Sequence, residues 1–275
     1  MDPPAQKQRK GAGAVGGVLV ALGALAIKFK ALLAGIWAIK WLFVVPKLLI
    51  SFGSMFLSVL VYAALFGGWK IAIVFVLMML VHELGHYVTW RNFGVKTSLP
   101  MFIPGFGAFV ASEGGTPAQN AAAALAGPAF GVAAAAACWF YGVAGHGSTV
   151  DLGHRFWLAC AYIGFFINLF NLLPVPPFDG GAVAGAIDAR LWFVGVVLVA
   201  LWVLFVGVST FGIIILILLA VTAVPRIVAL WRGQIDPRGS GLTTAQRWMT
   251  LGAYVALIML AIAGAAGTYI ERTGA

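Results

Sequence analysis

Apolar residues run along this chain in long blocks rather than with the period of an amphipathic helix or a half-buried strand. Leu48–Phe66 is one block, long enough to cross a hydrocarbon core with local adjustment, and Ile71–Trp90 follows it after a turn at Gly67 and Gly68. Further blocks cover Ala121–Val143, Phe156–Leu173, Leu191–Gly207, Thr210–Val224 and Trp248–Tyr269, of which Leu191–Gly207 and Thr210–Val224 read as a hairpin of two short spans. The stretch Leu99–Ser112, LPMFIPGFGAFVAS, is apolar but too short to cross as a helix, and Pro100, Pro104, Gly105 and Gly107 oppose a helix. Irregular backbone at membrane depth is tolerated only where protein buries it or water reaches it, so this stretch predicts a re-entrant loop or hairpin. The pattern as a whole predicts an all-α polytopic membrane protein of about seven transmembrane helices.

The blocks divide the chain into three regions. Residues 1–47 form a basic, interfacial or additional membrane segment. The N-terminus imitates a signal peptide, but its apolar run continues into Lys28, Phe29 and Lys30 without a convincing cleavage site. Lys40 and Lys47 are seven apart and share a helical face, which suits a helix at the interface. Residues 48–225 form the membrane core, and residues 226–275 a basic cytoplasmic loop with a C-terminal transmembrane helix.

Composition strengthens this reading. Hydrophobic residues make up 62% of the 275 and charged residues 9%, too little charge for a soluble surface. The formal net charge is +9, but the cations stand between apolar runs, with no basic stripe interleaved with aromatics on a polar domain. The partner they imply is anionic lipid, not nucleic acid. Arg226, Arg232, Arg238 and Arg247 crowd one loop, which belongs in the cytoplasm by the positive-inside rule. Counting spans backward puts Arg190, Arg91 and Lys96, and then Lys40 and Lys47 on the same side. Cys138 and Cys160 lie in apolar runs without zinc-site spacing and read as buried thiols.

The chemistry concentrates in His82-Glu83-Leu84-Gly85-His86. On a helix, positions i and i+4 share a face, so both imidazoles reach one ion and Glu83 stands beside them as a general base. Three ionisable groups within five residues of a membrane span are costly without a compensating role, and a zinc ion supplies one. A catalytic zinc needs a third protein ligand and an open position. His146 and His154 fall at the outside loop, Glu113 follows the re-entrant stretch, Asp188 lies next to Arg190, and Asp151 and Asp236 are in loops. Asp179 is the strongest candidate. It sits in Asn171-Leu-Leu-Pro-Val-Pro-Pro-Phe-Asp179-Gly180-Gly181, where prolines stop the helix and glycines permit a tight turn back at membrane depth. The plainer reading of Asp179 is a cap on the next helix.

HELGH on one span and NLLPVPPFDGG on a later one together resemble the site-2 protease family of intramembrane zinc metalloproteases. The match lies at His82, Glu83, His86, Asn171, Pro174, Asp179 and Gly180, and Ala126-Gly127-Pro128-Ala129-Phe130-Gly131 looks like the family's Gly-Pro span. The resemblance covers roughly residues 45–225. It implies an endopeptidase that holds one zinc and cleaves membrane-spanning protein substrates in or near their transmembrane segments, as in regulated intramembrane proteolysis. It places the active site of a multi-pass protein near the cytoplasmic face, in the plasma (inner) membrane. It also implies that Asn171 assists at the developing oxyanion or positions the substrate. Asn168, one turn earlier on the same face, is a second candidate, with an interhelical hydrogen bond as the plainer reading. Two other classes compete. A non-enzymatic membrane scaffold with a retained metal site has no need for Glu83, and a metal transporter would show repeated halves with several polar positions along a path.

Overall fold

A computed structural model describes residues 28, 30, 44–146, 152–206 and 210–269. The chain divides into two compact units, Met1–Ile50 and Ser51–Ala275. Most of the expected segment 1–47 lies outside the described residues. The HELGH and NLLPVPPFDGG motifs both belong to the second unit.

That unit is mostly helical. Helix α1 is Val44–Phe66, of which the part from Ser51 belongs to this unit. Helix α2 is Trp69–Asn92, followed by strands β1 (Met101–Ile103) and β2 (Gly107–Phe109). Helices α3 (Pro117–His146), α4 (Leu152–Asn171), α5 (Asp179–Ile187), α6 (Leu191–Val206), α7 (Thr210–Trp231) and α8 (Thr244–Thr268) complete it. Helix α1 from Ser51 on, together with α2, α3 and α8, presents many large apolar side chains outward, as lipid requires. Helices α1, α2, α3 and α8 are long and apolar enough to cross a membrane, and α6 and α7 contain shorter apolar helices. The protein is an integral membrane protein. Expected spans beyond these four fall on α4, α6 and α7.

Local sequence explains where the elements stop. Gly94 follows α2 with φ 73, a left-handed conformation that lets its N–H return to Arg91 O while Val95 N–H bonds Trp90 O. Helix α3 opens with Thr116 and Gln119 exchanging side-chain and backbone hydrogen bonds, and Pro117 occupies its first position, where no N–H is needed. Helix α7 runs on through Pro225 to Trp231 and carries Arg226, which the sequence pattern places in the following loop. A proline forfeits one ladder bond, and the apolar face Ile227–Leu230 packed against α5 and α6 is enough to carry the helix past it.

Helices α3 and α4 pack most extensively, with α2 and α8 flanking them and α5 against α3. The two strands form an antiparallel hairpin with Met101 opposite Phe109 and Ile103 opposite Gly107. Its tip, Pro104–Phe106, closes through Phe106 N–H to Ile103 O. The hairpin occupies the stretch expected to be a loop or hairpin. On β1, Phe102 N–H turns away from β2 and donates to Ser54 Oγ of α1, and Pro100 O accepts from Ser51 Oγ. The outer edge of β1 is therefore tied down.

Candidate metal centre

His82 and His86 lie one turn apart on α2, and Asp179 is the first residue of α5. The three converge. Asp179 Oδ2 is 2.9 Å from His82 Nε2 and 3.3 Å from His86 Nε2, and the two Nε2 atoms are 3.1 Å apart. Among the described residues they are the one group of three or more such side chains whose ligand atoms could hold a metal ion.

The remaining ring nitrogens decide what the centre can bind. His82 Nδ1 lies 2.8 Å from Asn168 Oδ1 on α4, and His86 Nδ1 lies 2.7 Å from Ala123 O on α3. Asn168 Nδ2 donates to Gly164 O at 2.7 Å, which fixes the amide so that its oxygen faces the histidine. Both Nδ1 atoms thus face acceptors and carry the protons. Two bare Nε2 lone pairs and a carboxylate oxygen then point at one small volume with no hydrogen among them, an arrangement that repels itself unless a cation stands between. Donor atoms around a tetrahedral zinc stand about 3.3 Å apart, given bonds of about 2.0–2.2 Å. The measured spacings fit that triangle within a few tenths of an ångström. The donor set of two imidazoles and one carboxylate suits zinc and leaves a fourth position open. The Asp179 side chain keeps 22% exposure, against 12% for His86 and 4% for His82.

Glycines make the packing possible. A Cβ on Gly127 would run into the His86 ring, and one on Gly131 would run into the Asn168 amide. These residues stand one turn apart on α3, so a small-residue groove receives the metal-side imidazole from α2 and its neighbour's hydrogen-bond partner from α4. Pro128 sits between them inside the helix and lacks the N–H that would bond Ala124 O, next to the Ala123 carbonyl used by His86. Gly180 and Gly181 are likewise close-approach residues. They lie within α5 with negative φ, and a Cβ on either would strike the backbone of Leu172–Pro176. The tight turn expected of them is made instead by residues 172–178, and Asp179 accepts no capping role, since the N-cap is Phe178 with no side-chain bond.

Glu83 is buried on α2 beside the two histidines. The backbone N–H of Val110, just after β2, bonds its carboxyl. Peptide groups alternate along a strand, and those of Phe102 and its opposite Ala108 face outward from the pair, so Val110 also faces outward. The outer edge of β2 therefore lies toward Glu83, with its Val110 N–H engaged by that carboxyl.

The other sequence candidates stand apart. Asn171 is the last residue of α4, half-buried, and among the described residues no hydrogen bond ties its side chain to the three converging groups or to Glu83. Glu113 is exposed and 3.6 Å from Lys96 Nζ. Asp188 pairs with Arg238, and Asp236 accepts from Arg238 N–H. His154 faces Gly142 O. Asp151 and the His146 side chain lie outside the described residues. Asn168 is the position that sequence reasoning undervalues. Its interhelical bond is the expected plain one, but the partner is His82 of the three converging groups, and the two asparagines one turn apart are the signal.

Residues 70–153 match peptidase family M50. That segment includes the His82–His86 motif and the Gly127–Gly131 groove. Over 125 positions the chain is also 31% identical to a Mycobacterium tuberculosis protein, Rip3, whose name gives it as a candidate zinc metalloprotease, in each of two strains. The aligned stretch covers 44% of this chain and 30% of the relative, so the chain spans less than a third of the curated relatives it matches.

Proposed function

We propose that this protein is an intramembrane zinc endopeptidase of the site-2 protease type, with His82, His86 and Asp179 as metal ligands and Glu83 as general base. One observation carries the reading. Both Nδ1 protons are committed to oxygens of neighbouring helices, which leaves three bare donors aimed at one point with an acid beside them. The match to peptidase family M50 and the likeness to a protein named for zinc metalloprotease activity support it.

Bound zinc would bring its water's pKa toward neutrality and polarise the scissile carbonyl. Glu83 takes the proton from the attacking water at its carboxylate and delivers it to the departing amine. Asn168 and Ala123 O keep the imidazoles in the tautomer that leaves Nε2 free. Asn171, at the mouth of the 172–178 turn, positions the substrate or assists at the oxyanion, the role the family resemblance gives it.

A substrate helix hides its carbonyls in its own hydrogen bonds and must unwind before hydrolysis. The outer edge of β2 beside Glu83 is where an unwound segment would pair, taking over the Val110 N–H from the Glu83 carboxyl. The proposed substrate is thus a membrane-spanning protein cut in or near its transmembrane segment, as in regulated intramembrane proteolysis. The basic residues of 226–247 set the catalytic core, 48–225, with its site nearer the cytoplasmic face of the plasma (inner) membrane. Purified protein should hold about one zinc per chain and cleave a model transmembrane substrate in liposomes. A metal-free preparation that cleaves equally well would end the proposal.

A further inference from the structure

We propose that helix α8 is a splint for the turn that carries Asp179, with Arg247 and Tyr254 as positioning residues that set where the carboxylate stands. The inference rests on the reading of Asp179 as a metal ligand and extends the working unit beyond the 48–225 core.

The segment from Leu172 to Ile187 leaves α4, turns, and returns as α5. Pro174, Pro176 and Pro177 have no N–H, so the turn has few backbone bonds of its own, chiefly Val175 N–H to Leu173 O and Phe178 N–H to Val175 O. A ligand on such a segment must still be held to within about 0.5 Å of its working position. Helix α8 grips the segment at both ends. Tyr254, buried at 5% exposure, donates its hydroxyl to Leu172 O at the start. Arg247 donates to Ala186 O and Ile187 O at the finish, and its other nitrogen reaches Arg238 O.

The spacing matches a rigid brace. Arg247 and Tyr254 are seven residues apart, two turns on one face, about 10.5 Å along the axis. Leu251 lies between them and packs against the buried cluster that contains Leu172, Val183, Ile187 and Tyr254. A guanidinium suits the far grip, because the last carbonyls of α5 lack helical partners and a planar fork serves more than one of them at once. The first turn of α8 is itself fixed by a capping box between Thr243 and Gln246, directly before Arg247. Ser240 Oγ adds a further bond to Ala186 O, and Ala189 N–H bonds Pro237 O, folding the preceding loop onto the same end of α5.

The test is metal binding rather than turnover. Zinc affinity by competition with a chromophoric chelator, and the visible ligand-field spectrum of the cobalt(II)-loaded full chain, are measured for wild type, Asp179→Ala, Arg247→Met, Arg247→Lys and Tyr254→Phe. Thr268→Val, at the opposite end of α8, serves as a control for plain destabilisation. Arg247→Met and Tyr254→Phe should each weaken zinc by about 10-fold, the low end of the loss found for partners that bond a ligand directly, because both act through the backbone of the turn, and should alter the cobalt band. Arg247→Lys should recover part of the loss, and Thr268→Val should leave the band unchanged. Should Arg247→Met fail to fold, Tyr254→Phe, which removes a single oxygen, decides. Wild-type affinity and spectrum in Tyr254→Phe, with Asp179→Ala impaired, overturn the splint. An equal change in Thr268→Val overturns it too. Unchanged affinity in Asp179→Ala instead brings down the ligand assignment beneath it.

Discussion

Asn168 Oδ1 on α4 stands 2.8 Å from His82 Nδ1 on α2, and its own amide nitrogen is anchored to Gly164 O one turn back. The asparagine thereby holds the histidine ring by a partner that cannot itself rotate. Asn168→Ala should weaken zinc about 10–100-fold while the protein still folds. Asn168→Asp, which keeps an acceptor for His82 Nδ1 but loses the donor to Gly164 O, should fall between the wild type and Asn168→Ala. Competition titration with a chelator distinguishes the two, and equal losses in both variants would contradict the tautomer argument.

Glu83→Gln keeps the shape of the side chain and removes its basicity. Zinc content should stay near the wild-type value while cleavage of a membrane substrate falls by about 10²–10⁴-fold. Elemental analysis alongside a gel-based cleavage assay reads both quantities on one preparation. Retained activity would remove Glu83 from the role of base.

Gly127 and Gly131 face occupied space, so a single methyl group at either must push something aside. Gly127→Ala should displace His86 and Gly131→Ala should displace Asn168, each costing about 1–3 kcal/mol through overpacking. Both should also lower zinc affinity. Gly53→Ala, where an added Cβ meets nothing within 4 Å, is the matched control and should do neither. Thermal unfolding in detergent with parallel zinc titration checks the contrast.

Asp188, beyond the end of α5, is pushed up by partial burial, but the Arg190 N–H and the Arg238 guanidinium outweigh this and hold its carboxyl below the usual carboxylate range. A depressed folded-state value means the stabilisation is fully present above the ordinary aspartate value of about 3.9 and is lost as pH falls through the folded value. The unfolding temperature of the wild type should therefore drop more steeply than that of Asp188→Asn as pH is lowered below about 4. Arg238 is exposed, so added salt should shrink the difference. Parallel profiles at low salt would count against the pairing.

Much of the site is legible in the sequence because ionisable residues are so rare in apolar runs. The HELGH spacing needs only a helix to bring His82 and His86 to one face, and the structure supplies that helix. Asp179 is legible as a return to membrane depth, but α5 is not. Asp-Gly-Gly-Ala-Val-Ala-Gly-Ala-Ile reads locally as a turn, since glycine disfavours helix, and only packing on the backbone of Leu172–Pro176 reveals why small residues are needed there. Asn168 weighs less than Asn171 on sequence alone, because a lone amide on a membrane helix carries no mark of which neighbour it will meet. The grip of Arg247 on Ile187 spans sixty positions of sequence and no periodicity announces it.

The two rims of the hairpin are held differently: the β1 side is sewn to α1 by Ser51 and Ser54, while β2 gives its Val110 N–H to the Glu83 carboxyl. In the proposed mechanism, a guest polypeptide that displaces Glu83 from that amide is seated by main-chain contacts that ignore side-chain identity. On the proposed reading, which bond is severed follows from where the guest's own coil is weakest, at glycine, proline or asparagine, and no consensus motif should emerge from its collected cleavage points.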